Sequence, residues 1–524
     1  MRRAGEIMSV ADLAMVAALV FGWGALSARL ERFEVTAPIA FVVAGLLLTH
    51  WPLAFLSVTP SRELIKELAE FTLALVLFSD ASRVGLHELR VDAGLYLRLL
   101  GVALPVTIGL GTLLAFALDS GDGIWLALLV GAALAPTDAA LGAGMMASPL
   151  VPARIRRLIN VESGLNDGIA TPFVSVALAG AATAGAVAGH GPAAAVAELA
   201  LGILIGIAVG GAGGLLVNAA RKRDWIATGF AGPAVLGLAV CAYASAVALH
   251  GNGFIAAFVG GLAFGTTAGR RGQPLIPFVE ETGALASLLV WLAFGAVAVA
   301  PAVHVLNWQI VLYAVLSLTV IRMVPVAAVL VRSGLDRATI ALVAWFGPRG
   351  LASVVFCLLA LEELGSPAAD HAAAVITVTV VLSVLAHGAT ADPVANRYAR
   401  HLTRQAHQFA GADIPGIPER RLTRRTARSG PDPADSPEPD ASEIDEQLPG
   451  TAAGRPRRCQ GLLGLARPGP PGHNWDNAGA CPSGPRSGDC RTEGGHHGGG
   501  DGSWPGRGDA RRPGRARTCA ARPA

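Results

Sequence analysis

The sequence predicts an all-α polytopic membrane protein of about thirteen transmembrane helices, built as two inverted repeats with a discontinuous helix in each. Three observations predict it. Of 524 residues, 52% are hydrophobic and only 15% charged, where a soluble domain carries about 25%. The apolar residues come in blocks of roughly 20, the length that crosses a bilayer core. The loops between blocks alternate between rich and poor in Arg and Lys, which is the positive-inside signature.

The spans fall near 8–28, 37–57, 64–80, 94–118, 123–147, 155–183, 193–219, 230–250, 252–268, 282–303, 309–331, 338–361 and 371–391. The first has no small-residue cleavage site after it and reads as a retained helix. The third begins with "SRELIKELAE", so its first half is amphipathic, and the ninth is short. The loops "ARLER", "ASRVGLHELR", "PARIRR", "RKRD", "GRRG" and "RSGLDR" follow the odd-numbered spans. They are expected in the cytoplasm, with the N-terminus outside and the C-terminus inside. Small residues dominate the spans and suit close helix packing in lipid. The six cysteines match neither a zinc site nor a disulfide framework.

Residues 1–403 thus form a transmembrane domain, and 404–524 change character. "RLTRRTARSGPDPADSPEPDASEIDEQ" and "GGHHGGGDGSWPGRGDARRPGRARTC" are too polar and Gly/Pro-rich to build a core. A disordered cytoplasmic tail is expected there, and His496 and His497 alone are a weak metal signal.

The fifth and twelfth spans are interrupted. "ALAPTDAALG" places Pro136, Thr137 and Asp138 at mid-membrane, and "AWFGPRGLAS" places Gly347, Pro348, Arg349 and Gly350 there. Proline removes a helical hydrogen bond. Backbone freed in this way survives only against protein or a water-filled cavity. The two spans are an odd number of helices apart and cross in opposite directions, as inverted repeats require. Matched breaks of this kind point to a transporter's central site.

"NVESGLNDG" in the sixth span carries the other polar cluster. Ser163 and Asp167 are one turn apart, as are Glu162 and Asn166, so the four make one polar face. With Thr137 and Asp138 this is an oxygen-only ligand set, which suits hard cations. A carboxylate in a half-dry site can hold either a proton or a cation near physiological pH. Competition between the two is the chemistry of an exchanger.

Buried charges need partners. Glu162 is expected to pair with Arg322, from "VIRMVP", as a structural pair. Arg349 is expected to balance the helix ends at the twelfth-span break or to compete for Asn166 or Glu162. Asp80 reads as a residue of the cytoplasmic edge or of an ion funnel. Asp12, Glu70, Asp119 and Glu198 read as interfacial, and His250, His304 and His387 as interfacial residues rather than proton sensors.

"APTDAALG", "NVESGLNDG" and "WFGPRGLAS" resemble the signature segments of the monovalent cation/proton antiporters, in the sodium/proton exchanger-like branch. The resemblance covers about residues 10–395. It implies a homodimer in which the two broken helices cross near the site. It also implies that a mobile core, about 94–183 and 309–391, moves against a dimerisation scaffold, about 8–80 and 193–303. By motif match Asp167 would be the ion- and proton-binding carboxylate, with Asp138, Thr137, Ser163 and Asn166 around the transported cation. The Asn-Asp pair implies electroneutral exchange. Pro136 before Thr-Asp, and "FSDAS" where relatives carry Glu and Gly, depart from the family pattern.

The expected function is Na⁺/H⁺ antiport by alternating access in the inner cell membrane, serving pH and sodium homeostasis. K⁺ or Li⁺ exchange is the alternative, because oxygen ligands alone do not fix ion size. A channel or sensor on the same fold would show uncoupled flux. An intramembrane enzyme is disfavoured, since no membrane His pairs with Ser163. No cofactor, catalytic residue or nucleic-acid partner is expected.

Overall fold

The computed structural model describes residues 10–30, 35–49, 61–84, 92–142, 151–184, 192–365 and 367–410. They belong to one compact unit, Met1–Arg421. The second unit, Leu422–Ala524, lies outside the described residues, and the expectations for the tail and for His496 and His497 lie there with it.

The described residues are helical with short connections. The helices are α1 (Val10–Leu30), α2 (Ala37–Thr49), α3 (Arg62–Arg83), α4 (Ala93–Leu118), α5 (Gly123–Ala133), α6 (Ala153–Ala184) and α7 (Pro192–Lys222). Then come α8 (Ala231–Ala248), α9 (Gly253–Ala268), α10 (Gln273–His304), α11 (Trp308–Leu330), α12 (Arg337–Trp345), α13 (Leu351–Glu363) and α14 (Pro367–Ala410). Each predicted span overlaps one of them, with the twelfth divided between α12 and α13.

Eight are long and apolar enough to cross a membrane: α1, α4, α6, α7, α8, α10, α11 and α14. The others fall short for visible reasons. α3 opens with the charged turns that hold Glu63, Lys66 and Glu70. α9 has 16 residues. α5, α12 and α13 are pieces of interrupted spans, and the description of α2 stops at Thr49. α14 runs through Ala410, past the predicted end at 391 and past the predicted domain limit at 403.

Packing follows residue size. α7 lies on α9 so closely that a Cβ at Gly210 would stand 2.1 Å from the Gly260 carbonyl oxygen. Small residues permit such backbone approach in membrane bundles. α13 is apolar on all sides and buried from Leu351 to Ala360, as a helix hydrophobic all round must be. It packs against α3, α10, α14 and α5. Three helices carry a π turn: α4 at Leu99–Ala103, α10 at Gly295–Val299 and α11 at Ser317–Ile321. Such widened turns recur at functional sites. The last of them directly precedes Arg322.

Candidate functional site

The site is built where two interrupted helices meet. α5 ends at Ala133, and Leu134 to Asp138 leave the helix before a short 3₁₀ turn, Ala139–Gly142. α12 ends at Trp345, and the chain stays non-helical until α13 begins at Leu351. The breaks bond to each other. The Asp138 N–H donates to the Pro348 carbonyl at 2.8 Å. The Leu351 N–H donates to Asp138 Oδ2 at 3.3 Å. A carboxylate there serves an orphan N–H of α13 and complements the positive end of the helix dipole. Gly350 makes this crossing possible, because a Cβ on it would stand 2.1 Å from Asp138 Cβ.

Arg349 closes the other side of the junction. Its Nη1 donates to the carbonyls of Ala135 at 2.6 Å and Pro136 at 3.1 Å, and its Nη2 to Ser317 at 3.3 Å. Ser353 Oγ donates to the Ala133 carbonyl at 2.6 Å. The carbonyls exposed by the α5 break are thus met by donors from the α12–α13 segment. From sequence, Arg349 is expected at its own break or beside Asn166 or Glu162. Its guanidinium instead serves the opposite break, because α5 ends there with unpaired acceptors.

α6 supplies the polar face. Arg322 Nη2 donates to Glu162 Oε1 at 2.6 Å, and both side chains are nearly sealed, at 2% and 3% exposure. Asn166 Nδ2 donates to Thr137 Oγ1 at 2.7 Å. The hydroxyls of Thr137 and Ser163 lie 3.3 Å apart. Buried Asn166 Oδ1 has no hydrogen-bond partner among the described residues. Pro172, inside α6, removes the N–H that the Gly168 carbonyl would otherwise accept.

Asp167 lies on the same face and lines a cavity of about 1390 Å³ together with Asp80, Thr137, Asp138 and Ser163. The cavity mouth carries Arg83, Arg156, Arg157, Glu280 and Asp392, near the end of α3, the starts of α6 and α10 and the middle of α14. Arg83 Nη2 bonds Glu280 Oε2 across this mouth. The structure therefore brings together Thr137, Asp138, Ser163, Asn166 and Asp167. It sets Glu162 and Arg322 beside them as a closed pair, with Arg349 behind the break.

Asp80, read as a residue of the cytoplasmic edge or of an ion funnel, is on the cavity wall, in line with the second reading, with its Cβ 3.4 Å from the place a Cβ on Gly164 would occupy. Two assignments change. Asp12 and His387, read as interfacial, are each 2% exposed. His250 and His304 are exposed, as an interface allows. At the end opposite the mouth, Asp119, Asp122 and His371 gather, with His371 Nδ1 2.6 Å from Asp122 Oδ2.

The model of the family described as "Sodium/hydrogen exchanger, transmembrane" matches residues 15–397. Proteins described as uncharacterized Na(+)/H(+) exchangers of Mycobacterium bovis and Mycobacterium tuberculosis are 30% identical over 216 residues, 41% of this chain and 37% of theirs. The match thus spans little more than a third of those relatives' length. Among solved structures, the sodium proton antiporter MjNhaP1 from Methanocaldococcus jannaschii, at pH 8, superposes with a TM-score of 0.60 at 18% identity, covering 74% of this chain and 98% of that one. The structure of MjNhaP1 from an electron-microscopy map gives a TM-score of 0.57 at 19% identity, with the same coverage. At these identities the likeness is one of fold.

Proposed function

The chain belongs to the sodium/hydrogen exchanger family, and from that premise we propose that it is a secondary active antiporter exchanging Na⁺ for H⁺ by alternating access. The observation that carries the reading is the position of Asp167, on the wall of a cavity that runs from one end of the protein to the crossing of two broken helices. A carboxylate there meets water from one side and can take either a cation or a proton. Thr137, Ser163 and Asn166 Oδ1 add neutral oxygens for a dehydrated monovalent cation, and Asp138 adds charge. The cation is cargo and stays only for the crossing.

The finer features of the proposal rest on the same residues. We read thirteen spans with the two halves inverted, since the breaks at 134–138 and 346–350 lie on oppositely directed spans. The core is about 94–183 and 309–391, the scaffold about 8–80 and 193–303, with the scaffold forming a homodimer. The cavity is lined by Arg83, Arg156 and Arg157, beside the basic loops, which supports a cytoplasmic-facing opening by the positive-inside rule. We read the exchange as electroneutral from the family resemblance, in which an Asn before the ion-binding Asp, here Asn166 before Asp167, goes with one-for-one exchange.

The test is reconstitution of the full chain in proteoliposomes with a pH-reporting dye inside. A Na⁺ gradient should drive proton movement, with Na⁺ or Li⁺ outperforming K⁺. Asp167→Asn should abolish it while the protein stays folded. Full coupled exchange by that variant, or cation flux without proton movement, would overturn the proposal.

A further inference from the structure

We propose that Ser383, His387 and Thr390 of α14 are positioning residues for transport, holding the α12–α13 break in the shape that presents Thr137 and Asp138. The inference rests on the antiport reading above. The three lie four and three residues apart, on one stripe of the helix. None belongs to the polar cluster that the sequence marks.

They grip both ends of the break. It opens with a tight turn, in which Phe346 has φ −78° and ψ 82° and the Gly347 N–H donates to the Trp345 carbonyl at 2.8 Å. That is inverse γ-turn geometry. The second lone pair of the Trp345 carbonyl faces His387 Nε2 at 3.0 Å. A carbonyl only accepts, so the imidazole donates from Nε2 to Trp345 in one tautomer and from Nδ1 to the Ser383 carbonyl in the other. His387 Nδ1 lies 3.2 Å from Ser383 Oγ and 2.9 Å from the Ser383 carbonyl. Ser383 Oγ in turn accepts the Arg349 N–H at 2.8 Å. The imidazole stacks on the Trp345 indole, with centroids 5.0 Å apart and planes 24° apart. The indole N–H donates to Thr390 Oγ1 at 3.1 Å, and the Thr390 hydroxyl donates to the Ala386 carbonyl at 2.7 Å.

The held segment is the one that touches the site. The residue whose N–H is fixed by Ser383 is the residue whose guanidinium holds the Ala135 and Pro136 carbonyls. The preceding carbonyl, of Pro348, accepts the Asp138 N–H, and the following residue, Gly350, abuts Asp138. A shift of this turn therefore reaches Thr137 and Asp138 through two short steps. α14 also faces the ion path, since Gly388, Ala391 and Asp392 line the cavity. Ligand groups must be held to a fraction of an ångström by supporting contacts for a site to bind well.

The experiment compares His387→Leu, His387→Gln and Ser383→Ala with the parent chain in proteoliposomes. It reads the apparent KM for Na⁺, the maximum rate and the melting temperature. A parallel series reads Na⁺ affinity from the sodium-dependent melting shift, which needs no transport. His387→Leu should raise KM and weaken Na⁺ binding roughly tenfold, the factor a lost buried hydrogen bond gives. His387→Gln, which keeps a donor for the Trp345 carbonyl, should recover most of the loss. Ser383→Ala, which preserves shape, should move KM in the same direction. Unchanged Na⁺ affinity in folded His387→Leu or Ser383→Ala would overturn the inference. So would equal defects in the Leu and Gln variants that follow melting temperature alone. A parent chain without coupled exchange would sink the antiport reading, while the binding series would still decide the positioning role.

Discussion

Glu162→Gln separates the structural charges from the transporting one. Glu162 and Arg322 meet at 2.6 Å with 3% and 2% of their side chains exposed. Neutralising the acid leaves a guanidinium in the interior with its charge-assisted bond lost. The lost bond alone is worth about 1.5–3 kcal/mol. Stranding one member of a buried pair costs about 3–5 kcal/mol in all. The upper end applies here, because Arg349 is an electrostatic neighbour of the same pair and two guanidiniums would then share a region with one carboxylate fewer. Purified full-length protein should show a lower yield and a melting temperature several degrees below the parent. Replacing both partners, Glu162→Met with Arg322→Met, should restore much of that loss, since an apolar pair of similar volume is often neutral or better. Asp167→Asn, by contrast, should melt near the parent and not exchange. A Glu162→Gln protein that melts with the parent, with no gain in the double variant, would refute the reasoning.

Other outcomes follow from single contacts. Gly350→Ala should abolish exchange or folding, because its Cβ would stand 2.1 Å from Asp138 Cβ, whereas Gly22→Ala, with nothing within 4 Å, should be silent in both assays. Lys66 on α3 and Glu363 on α13 pair at 3.1 Å at the end opposite the mouth, each about a third exposed, so the pair adds little stability. Lys66→Cys/Glu363→Cys bridged by a bis-thiol reagent with a reducible linker should still arrest exchange, with reductant restoring it, and full-rate exchange by the bridged form would contradict alternating access. Asp336, at the start of α12, feels burial pulling its carboxyl upward, but hydrogen bonds from the Thr339 hydroxyl and from the Thr339 and Ala338 N–H groups outweigh it and hold the carboxyl below the usual range. Its stabilising effect is therefore present above the ordinary carboxylate pKa and lost as pH falls through the lower folded value. Asp336→Ala should melt below the parent at neutral pH, with the gap closing in acid.

Much of this architecture is written in local pattern. The apolar blocks mark the helices because lipid demands continuous apolar length, and Pro136 and Pro348 mark the breaks because proline cannot complete a helical ladder. The Glu162–Arg322 contact is legible from scarcity, each being a deep charge in need of an opposite. What was not legible depends on neighbours distant in sequence. Asp80 follows "LVLFS" at the end of α3, and its sequence leaves edge and funnel readings open until α6 brings Gly164 against it. His387 looks interfacial because its span appears to end at 391, whereas α14 continues through Ala410 and carries it into the interior. The target of Arg349 depends on which carbonyls the other break leaves open. Pro172 gave a signal that was available, four residues after Gly168 inside a polar helix.

The bond between Arg349 and the Ala135 carbonyl joins positions 214 residues apart, and this has a consequence for synthesis. The ribosome delivers the first break long before the second. Until the later segment arrives, the bared acceptors at Ala135 and Pro136 wait in the bilayer or translocon without their guanidinium. The N-terminal half therefore cannot reach its final form alone, and the two halves mature together in a late step that closes the crossing.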